Sequence, residues 1–325
     1  MRTTDKFIHQ RLGQVLAAAL FIGWISGCQK DTVDPNPVVP AQKSFVEILS
    51  SDSSFSLLNA AITRANLGSA ISAAGPFTVF APSNAAFRAA GFDEAAIAAA
   101  VPAVLGGILS YHVLNGAVKS TDLTNVVNQS TPTLNGTAYV SKFDYGVGVN
   151  GVRVTLADVQ ATNGVMHIVD GVIVPPTQNL VEAVSANPNL SLLRAAVIRA
   201  NLAGTLAGTG PLTVFAPTNA AFAAAGFDTE DKINAADPAV LAGLLSYHVL
   251  NGRVYTTNFV PASVKLPGAI AVPGKVVTLS ADSVAVSGDL KFTGIKNSGA
   301  ANVARANISA TNGVIHVIDR VLLAK

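Results

Sequence analysis

The stretch Phe77–Phe87, FTVFAPSNAAF, returns 135 positions later as Leu212–Phe222, LTVFAPTNAAF. A chain that repeats itself this closely holds one structural unit twice, and each copy has to bury its own core. Ser56-Leu57-Leu58 and Arg64-Ala65-Asn66-Leu67 match Ser191-Leu192-Leu193 and Arg199-Ala200-Asn201-Leu202 at the same offset. The match continues from YHVLNG at Tyr111–Gly116 to Tyr247–Gly252 at offset 136, and from Thr162–Asp170 to Thr311–Asp319 at offset 149. The second copy therefore carries 13 extra residues, placed within Thr256–Asn302. Lengthening a connection on an unchanged core is how such units diverge.

Within each unit the repeated stretch reads as a strand breaking into a capped helix. The apolar TVF run is rich in β-formers. Pro82 or Pro217 lacks the N–H that a ladder needs. Ser83 or Thr218 then offers an oxygen to the first free amides of a helix. Ser44 precedes a helix from Phe45, and Phe55, Leu58, Ile62 and Ala65 recur at helical spacing, as do Leu190, Leu193, Val197 and Ala200. Ala95–Ser110 and Pro238–Ser246 read as helices ending at the YHVL strands. Later, Asn115-Gly116, Asn135-Gly136, Asn150-Gly151 and Asn163-Gly164 mark tight turns. Val165–Val174 and Val314–Leu323 fit strands buried on both faces. Each unit is α+β, helices first and sheet mostly after.

TVFAPSNAAF, a central YHVL and a terminal TNGVIHVID-type strand, present in both copies and in this order, resemble the conserved boxes of the fasciclin (FAS1) domain family. The resemblance covers nearly the whole chain beyond its N-terminal segment. It implies two tandem FAS1 domains, each a two-sheet β-wedge or sandwich with a helical layer, over residues 44–175 and 178–325, joined at Pro175-Pro176. One departure stands out. Family members often carry an acid just after the helix cap, whereas Ala85 and Ala220 stand here, so the roughly 0.3–1 kcal/mol of carboxylate help to the helix dipole is missing.

Ahead of the repeats, Arg2, Lys6 and Arg11 precede an apolar run, Val15–Ile25, too short to span a bilayer. Ser26-Gly27-Cys28 follows and resembles a bacterial lipobox, which makes residues 1–27 a secretory signal and Cys28, the chain's single cysteine, the site of lipid attachment. More than one acyl chain gives stable anchoring, at about 0.8 kcal/mol per buried CH₂. Gln29-Lys30-Asp31 resembles the export signal of surface lipoproteins of the outer membrane, and residues 28–43 read as an extended, proline-rich tether. Without residues 1–27, 18 basic and 18 acidic side chains remain, so no basic surface for nucleic acid is present. The sole tryptophan, Trp24, leaves with the signal.

The reactive-looking residues beyond the signal are few. His112, His167, His248 and His316 all occupy positions shared by the two copies. A hydrolytic reading joins Ser83, His112 and Asp170, or Thr218, His248 and Asp319, as nucleophile, base and orienter. A structural reading gives Ser83 and Thr218 to helix caps and has the histidines satisfy backbone groups. The second is favoured: no nucleophile-elbow glycines flank the hydroxyls, Ser and Thr interchange, and His167 and Asp170 point to opposite strand faces. No metal spacing, calcium loop or P-loop occurs, and nothing calls for a cofactor. By resemblance, Asp158-Val159 stands where some animal fasciclin domains carry an Asp-Ile pair proposed to bind integrins, with Asn307-Ile308 in the second copy. Tyr111-His112 and Tyr247-His248 resemble the family's other proposed adhesion motif.

The resulting expectation is a lipid-anchored, non-catalytic protein of the cell envelope, outside the outer membrane. It would contact a protein or glycan through two linked modules that raise each other's effective concentration. Partner contact is assigned to the Asp158 and Asn307 pairs and to the two Tyr-His pairs. The 13-residue insertion would make the second copy the more specialised binder. The alternative is a polysaccharide-binding accessory lipoprotein using exposed Tyr139, Tyr145 or Tyr255.

Overall fold

A computed structural model describes residues 42–324. The expected signal, Cys28 and all but the end of the tether lie outside the described residues. Both copies fall in one compact unit, Gln42–Lys325.

Copy one opens with helices α1 (Phe45–Ser51), α2 (Ser56–Arg64) and α3 (Gly68–Ile71), then strand β1 (Phe77–Pro82). Helices α4 (Asn84–Ala89), α5 (Glu94–Ala99) and α6 (Pro102–Tyr111) follow. Strands β2 (Val113–Asn115), β3 (Val126–Thr133), β4 (Gly136–Phe143), β5 (Gly146–Val149), β6 (Val152–Ala161) and β7 (Gly164–Val169) complete it. Ser44 and Glu47 form a reciprocal capping box on α1, and Ser83 Oγ accepts from the Ala86 amide at the start of α4. The single helix expected over Ala95–Ser110 is two. Val101 precedes Pro102, is pushed out of the helical region into an extended conformation, and ends the run. The Tyr-His of YHVL lies at the helix-to-strand joint, not in the strand.

The strands run in the order β2-β1-β7-β6-β5-β4-β3, with β1 parallel to β7 and the other pairs antiparallel. Two register shifts in β6, around Leu156, let one continuous sheet fold back on itself. The strand period of two then fills two cores from one strand. Val79 and Ala81 join Phe45, Leu58 and Met166 against the helices, while Phe80 points the other way to Tyr111, Val140, Val149 and Val169. The expected wedge with a helical layer is thus three layers around two cores. The run expected as a strand from Val165 to Val174 leaves the sheet after Val169.

Asn163, in the turn before β7, ties the layers together. Its Oδ1 accepts from the Phe45 amide at the start of α1, and its Nδ2 donates to the carbonyls of Ile71, the last residue of α3, and of Ala73 just beyond it. Gly164 follows because a Cβ there would lie 1.9 Å from the Phe77 carbonyl oxygen of the parallel neighbour.

Copy two repeats the helices as α7 (Leu180–Ser185), α8 (Ser191–Arg199), α9 (Ala203–Ala207), α10 (Asn219–Ala224), α11 (Glu230–Ala235) and α12 (Pro238–Ser246). Strand β8 (Leu212–Pro217) precedes α10, and β9 (Val249–Asn251) follows α12. The remaining strands are β10 (Phe259–Pro261), β11 (Ile270–Val272), β12 (Gly274–Val277), β13 (Ser283–Val286), β14 (Phe292–Thr293), β15 (Val303–Ala310) and β16 (Gly313–Ile318). The sheet next to the helices keeps the order β15-β16-β8-β9. The outer sheet is broken into β12-β13-β14 and a parallel pair, β10-β11. The stretch holding the insertion is therefore built into strands, not hung outside as one free loop.

Candidate functional site

The four histidines among the described residues are structural in their bonding. His112 Nδ1 lies 2.8 Å from the Ile108 carbonyl, which can only accept, so Nδ1 carries the proton. Nε2 is then free to accept from the Ile173 amide at 3.0 Å. His248 repeats this with the Leu244 carbonyl at 2.9 Å and the Leu322 amide at 2.8 Å. His167 and His316 use the opposite tautomer. Nε2 donates to the carbonyls of Val118 and Val254, and Nδ1 accepts from the amides of Asp158 and Asn307. Burial pushes the pKa of His112, His248 and His316 down to about 4, and it lowers that of His167. The groups of the hydrolytic reading do not meet. Ser83 and Thr218 cap helices, while Asp170 and Asp319 accept from the backbone of Arg153 and Asn302. Among the described residues no cluster of three or more His, Cys, Asp or Glu is placed to hold a metal.

The Tyr-His pairs are corrected as partner contacts. Tyr111, His112, Tyr247 and His248 each expose 2 % or less of their surface. The Tyr111 hydroxyl donates to the Thr137 carbonyl at 2.7 Å and accepts from Asn150 Nδ2 at 2.9 Å, and burial pushes its pKa up to about 12. Tyr247 does the same with the Ser283 carbonyl and the Ile295 amide. Val159 and Ile308 pack against the helix-side cores, so the apolar half of each expected adhesion pair faces inward as well.

Asp158 and Asn307 have separate fates. Both sit on the β-bulge of the strand before the last, with φ of 62° and 58°. The Asp158 carboxylate accepts from both the amide and the hydroxyl of Ser120 within its own copy. Burial works against the charged form, yet these bonds hold the pKa below the usual carboxylate range. Asn307 makes the matching bond to the Thr256 amide, but its Nδ2 also donates to the Gly151 carbonyl of the other copy at 3.1 Å. A carboxylate could not make that bond. Asn307 is a joint between the copies, not an open contact surface.

The rest of this joint was not anticipated. Asn128 Nδ2 donates to the carbonyl of Arg253 and to Asn258 Oδ1, and Asn258 Nδ2 donates to Ser141 Oγ at 3.1 Å. The Arg253 guanidinium lies 4.3 Å from the centroid of the Tyr139 ring and donates to the carbonyls of Ala310, Thr311 and Gly313. A buried cation is thus held by three carbonyls and a π face, without a carboxylate. The Tyr255 ring lies tilted by 38° to Tyr139, 6.5 Å between centroids, and is buried. Of the three tyrosines expected at a glycan surface, only Tyr145 is exposed, at 60 %. The signal was in the sequence. At matched positions copy one has Ala117, Lys119 and Asp122 where copy two has Arg253, Tyr255 and Asn258.

A sequence model of the fasciclin domain matches residues 53–175 and 188–324. The chain belongs to the fasciclin domain family. It is 31% identical over 253 residues to the transforming growth factor-beta-induced protein ig-h3 of Sus scrofa, covering 77% of this chain and 35% of that protein. Periostin of Homo sapiens is 29% identical over 253 residues, again 77% of this chain, and 28% of its own length. The chain spans about a third of the length of these curated relatives. Protein sll1483 of Synechocystis is 39% identical over 151 residues, 46% of this chain and 82% of that protein. Among solved structures, a FAS1 domain pair from the insect cell adhesion molecule fasciclin I aligns with a TM-score of 0.40 at 20% identity, over 85% of this chain and 95% of that chain. No helix among the described residues of this fasciclin protein is long and apolar enough to cross a membrane.

Proposed function

We propose that this fasciclin protein is a non-catalytic adhesion or matrix-contact protein of the cell envelope, held by lipid on Cys28 and facing outward. The bonding of the histidines carries the reading. Each ring has both nitrogens committed to backbone groups and is buried, so none is free to act as a general base. The Ser83 and Thr218 hydroxyls are committed to helix caps. What the two domains offer a partner is shape, on a pair linked by side-chain bonds across their joint. The lipobox resemblance at Cys28 supports the anchor.

The test uses the full chain and a Cys28→Ser variant produced in a Gram-negative host. Expected results are acyl labelling and membrane fractionation of the parent alone, protease accessibility on intact cells, and retention of those cells on matrix-coated surfaces. Equal retention of cells carrying either protein, or soluble parent protein, refutes the reading.

A further inference from the structure

Between the outer sheets of the two domains lies a cleft of about 380 Å³. That is within the roughly 300–1,000 Å³ of small-ligand sites. Phe143, Tyr145 and Arg153 of the first domain face Thr257, Pro261 and Gly288 of the second. Thr257, Pro261 and Gly288 all belong to the stretch that holds the insertion, so that stretch builds one wall.

The geometry points to this cleft as a binding site for a uronic-acid-bearing oligosaccharide. Tyr145 is a shelf: its ring stacks on buried Phe143 at 5.4 Å and 7°, which fixes its plane, while 60 % of the residue stays open. A ring held this way presents a flat apolar face at low entropic cost, which suits the C–H face of a pyranose. Arg153 is the one charged residue lining the cleft, and among the described residues its guanidinium has no ion-pair partner. A free guanidinium fork selects a planar carboxylate. Gly146 and Gly288 leave open space at the cleft, and Thr257 contributes a hydroxyl against Gly148.

An acidic peptide fits less well. Peptides bind sheets by adding to a free edge, and β5, which carries Gly146 and Gly148, is already paired on both sides by β4 and β6. On the other wall β10 and β11 each keep a free edge, but both are only three residues long and β10 ends in Pro261, which has no N–H to offer. A nucleic acid would require several cations where the cleft has one. The site adds to the adhesive reading without depending on it, since domains that bind protein elsewhere could still hold the sugar.

The test is calorimetric titration of the full chain with a short oligogalacturonate, a neutral oligosaccharide of the same length and an oligoglutamate peptide. The expected result is saturable oligogalacturonate binding, weakened about tenfold by Arg153→Gln and again by Tyr145→Ala, and kept by Tyr145→Phe. Both side chains are exposed, so melting temperatures should match the parent, which separates lost contact from lost fold. Four results overturn the proposal: no uronate binding at about millimolar oligomer, equal binding of the neutral sugar, tighter binding of the peptide, or affinity untouched by both substitutions.

Discussion

Asn307→Asp changes a donor into an acceptor at the joint between the domains and leaves the shape of the side chain almost unaltered. Asn307 Nδ2 donates to the Gly151 carbonyl at 3.1 Å and to Thr256 Oγ1 at 2.7 Å. The Thr256 hydroxyl, which donates to the Gly151 carbonyl at 3.4 Å, can turn and donate to a carboxylate, so that bond is recovered at the expense of the weaker one to Gly151. The Gly151 carbonyl cannot. It would face an anion at the same separation, with little room to retreat, because a Cβ on Gly151 would already lie 2.4 Å from the Asn307 side chain. One lost bond costs about 1 kcal/mol, and an acceptor left against an acceptor adds a further 1–2 kcal/mol or so. A loss of about 2–3 kcal/mol would lower the melting temperature by roughly 5 °C or more in a chain of this size. The control is built into the repeat: Asp158→Asn makes the reverse exchange at the matched bulge, where the side chain bonds only Ser120 in its own domain. It should cost at most about 1 kcal/mol. Differential scanning calorimetry of both variants reads the contrast, with small-angle scattering to follow the separation of the domains. Equal shifts for the two substitutions, or an unshifted Asn307→Asp, refute the claim that this amide joins the domains.

The other expectations concern the parts that hold the site in place. Unfolded imidazoles take up protons near pH 6.5 while folded His112, His248 and His316 resist until about 4, so the unfolded chain binds more protons between these values. The histidine contribution should be full above pH 6.5, fall by up to roughly 1.4 kcal/mol per pH unit for each histidine below it, and level off under pH 4, where protonation of carboxylates held low in the fold, such as Asp158 and Asp319, continues the loss. Urea titrations across that range measure this, and a flat profile contradicts it. Tyr111→Phe leaves the Thr137 carbonyl and the Asn150 amide group without their buried partner, and chemical denaturation should show a loss of about 1–3 kcal/mol. Arg253→Ala removes the bonds to three carbonyls and the contact with Tyr139, for an expected loss of about 3 kcal/mol, while Arg253→Lys keeps the charge and should lose less.

What was legible in the sequence were the features set by local chemistry. The caps at Ser44, Ser83 and Thr218 read correctly because a side-chain oxygen ahead of a helix has one dominant use. The strand β1 could be read because a run of β-formers ends at a proline that cannot extend the ladder. The break before Pro102 does not show in the Ala/Leu-rich composition of the run, although the rule that sets it is local. The tyrosines show a different limit. Tyr139, Tyr145 and Tyr255 are alike by residue type, and only the position of one domain against the other separates the exposed ring from the two at the joint. No periodicity encodes that relation.

Comparison of the copies with each other does encode part of it. A core position under the same packing demand keeps its residue, as Phe80 and Phe215 or Leu114 and Leu250 do. A surface position diverges freely unless one copy has acquired a neighbour. Ala117 against Arg253, Lys119 against Tyr255, Asp122 against Asn258 and Asp158 against Asn307 change together, in one direction. The second copy gains a buried cation, a buried ring and two amides, whereas the first keeps small or charged groups that suit water. These substitutions turn one face of the second domain into a socket for the outer sheet of the first. Asn128, Tyr139 and Ser141 fill it from the other side. The cleft beside this joint takes its width from the bonds that close it, with Gly148 lying against Thr257 at its edge. Loosening the joint at Asn307 should therefore weaken a ligand held between Tyr145 and Arg153 of the first domain and Thr257 of the second without touching any of them, through geometry alone.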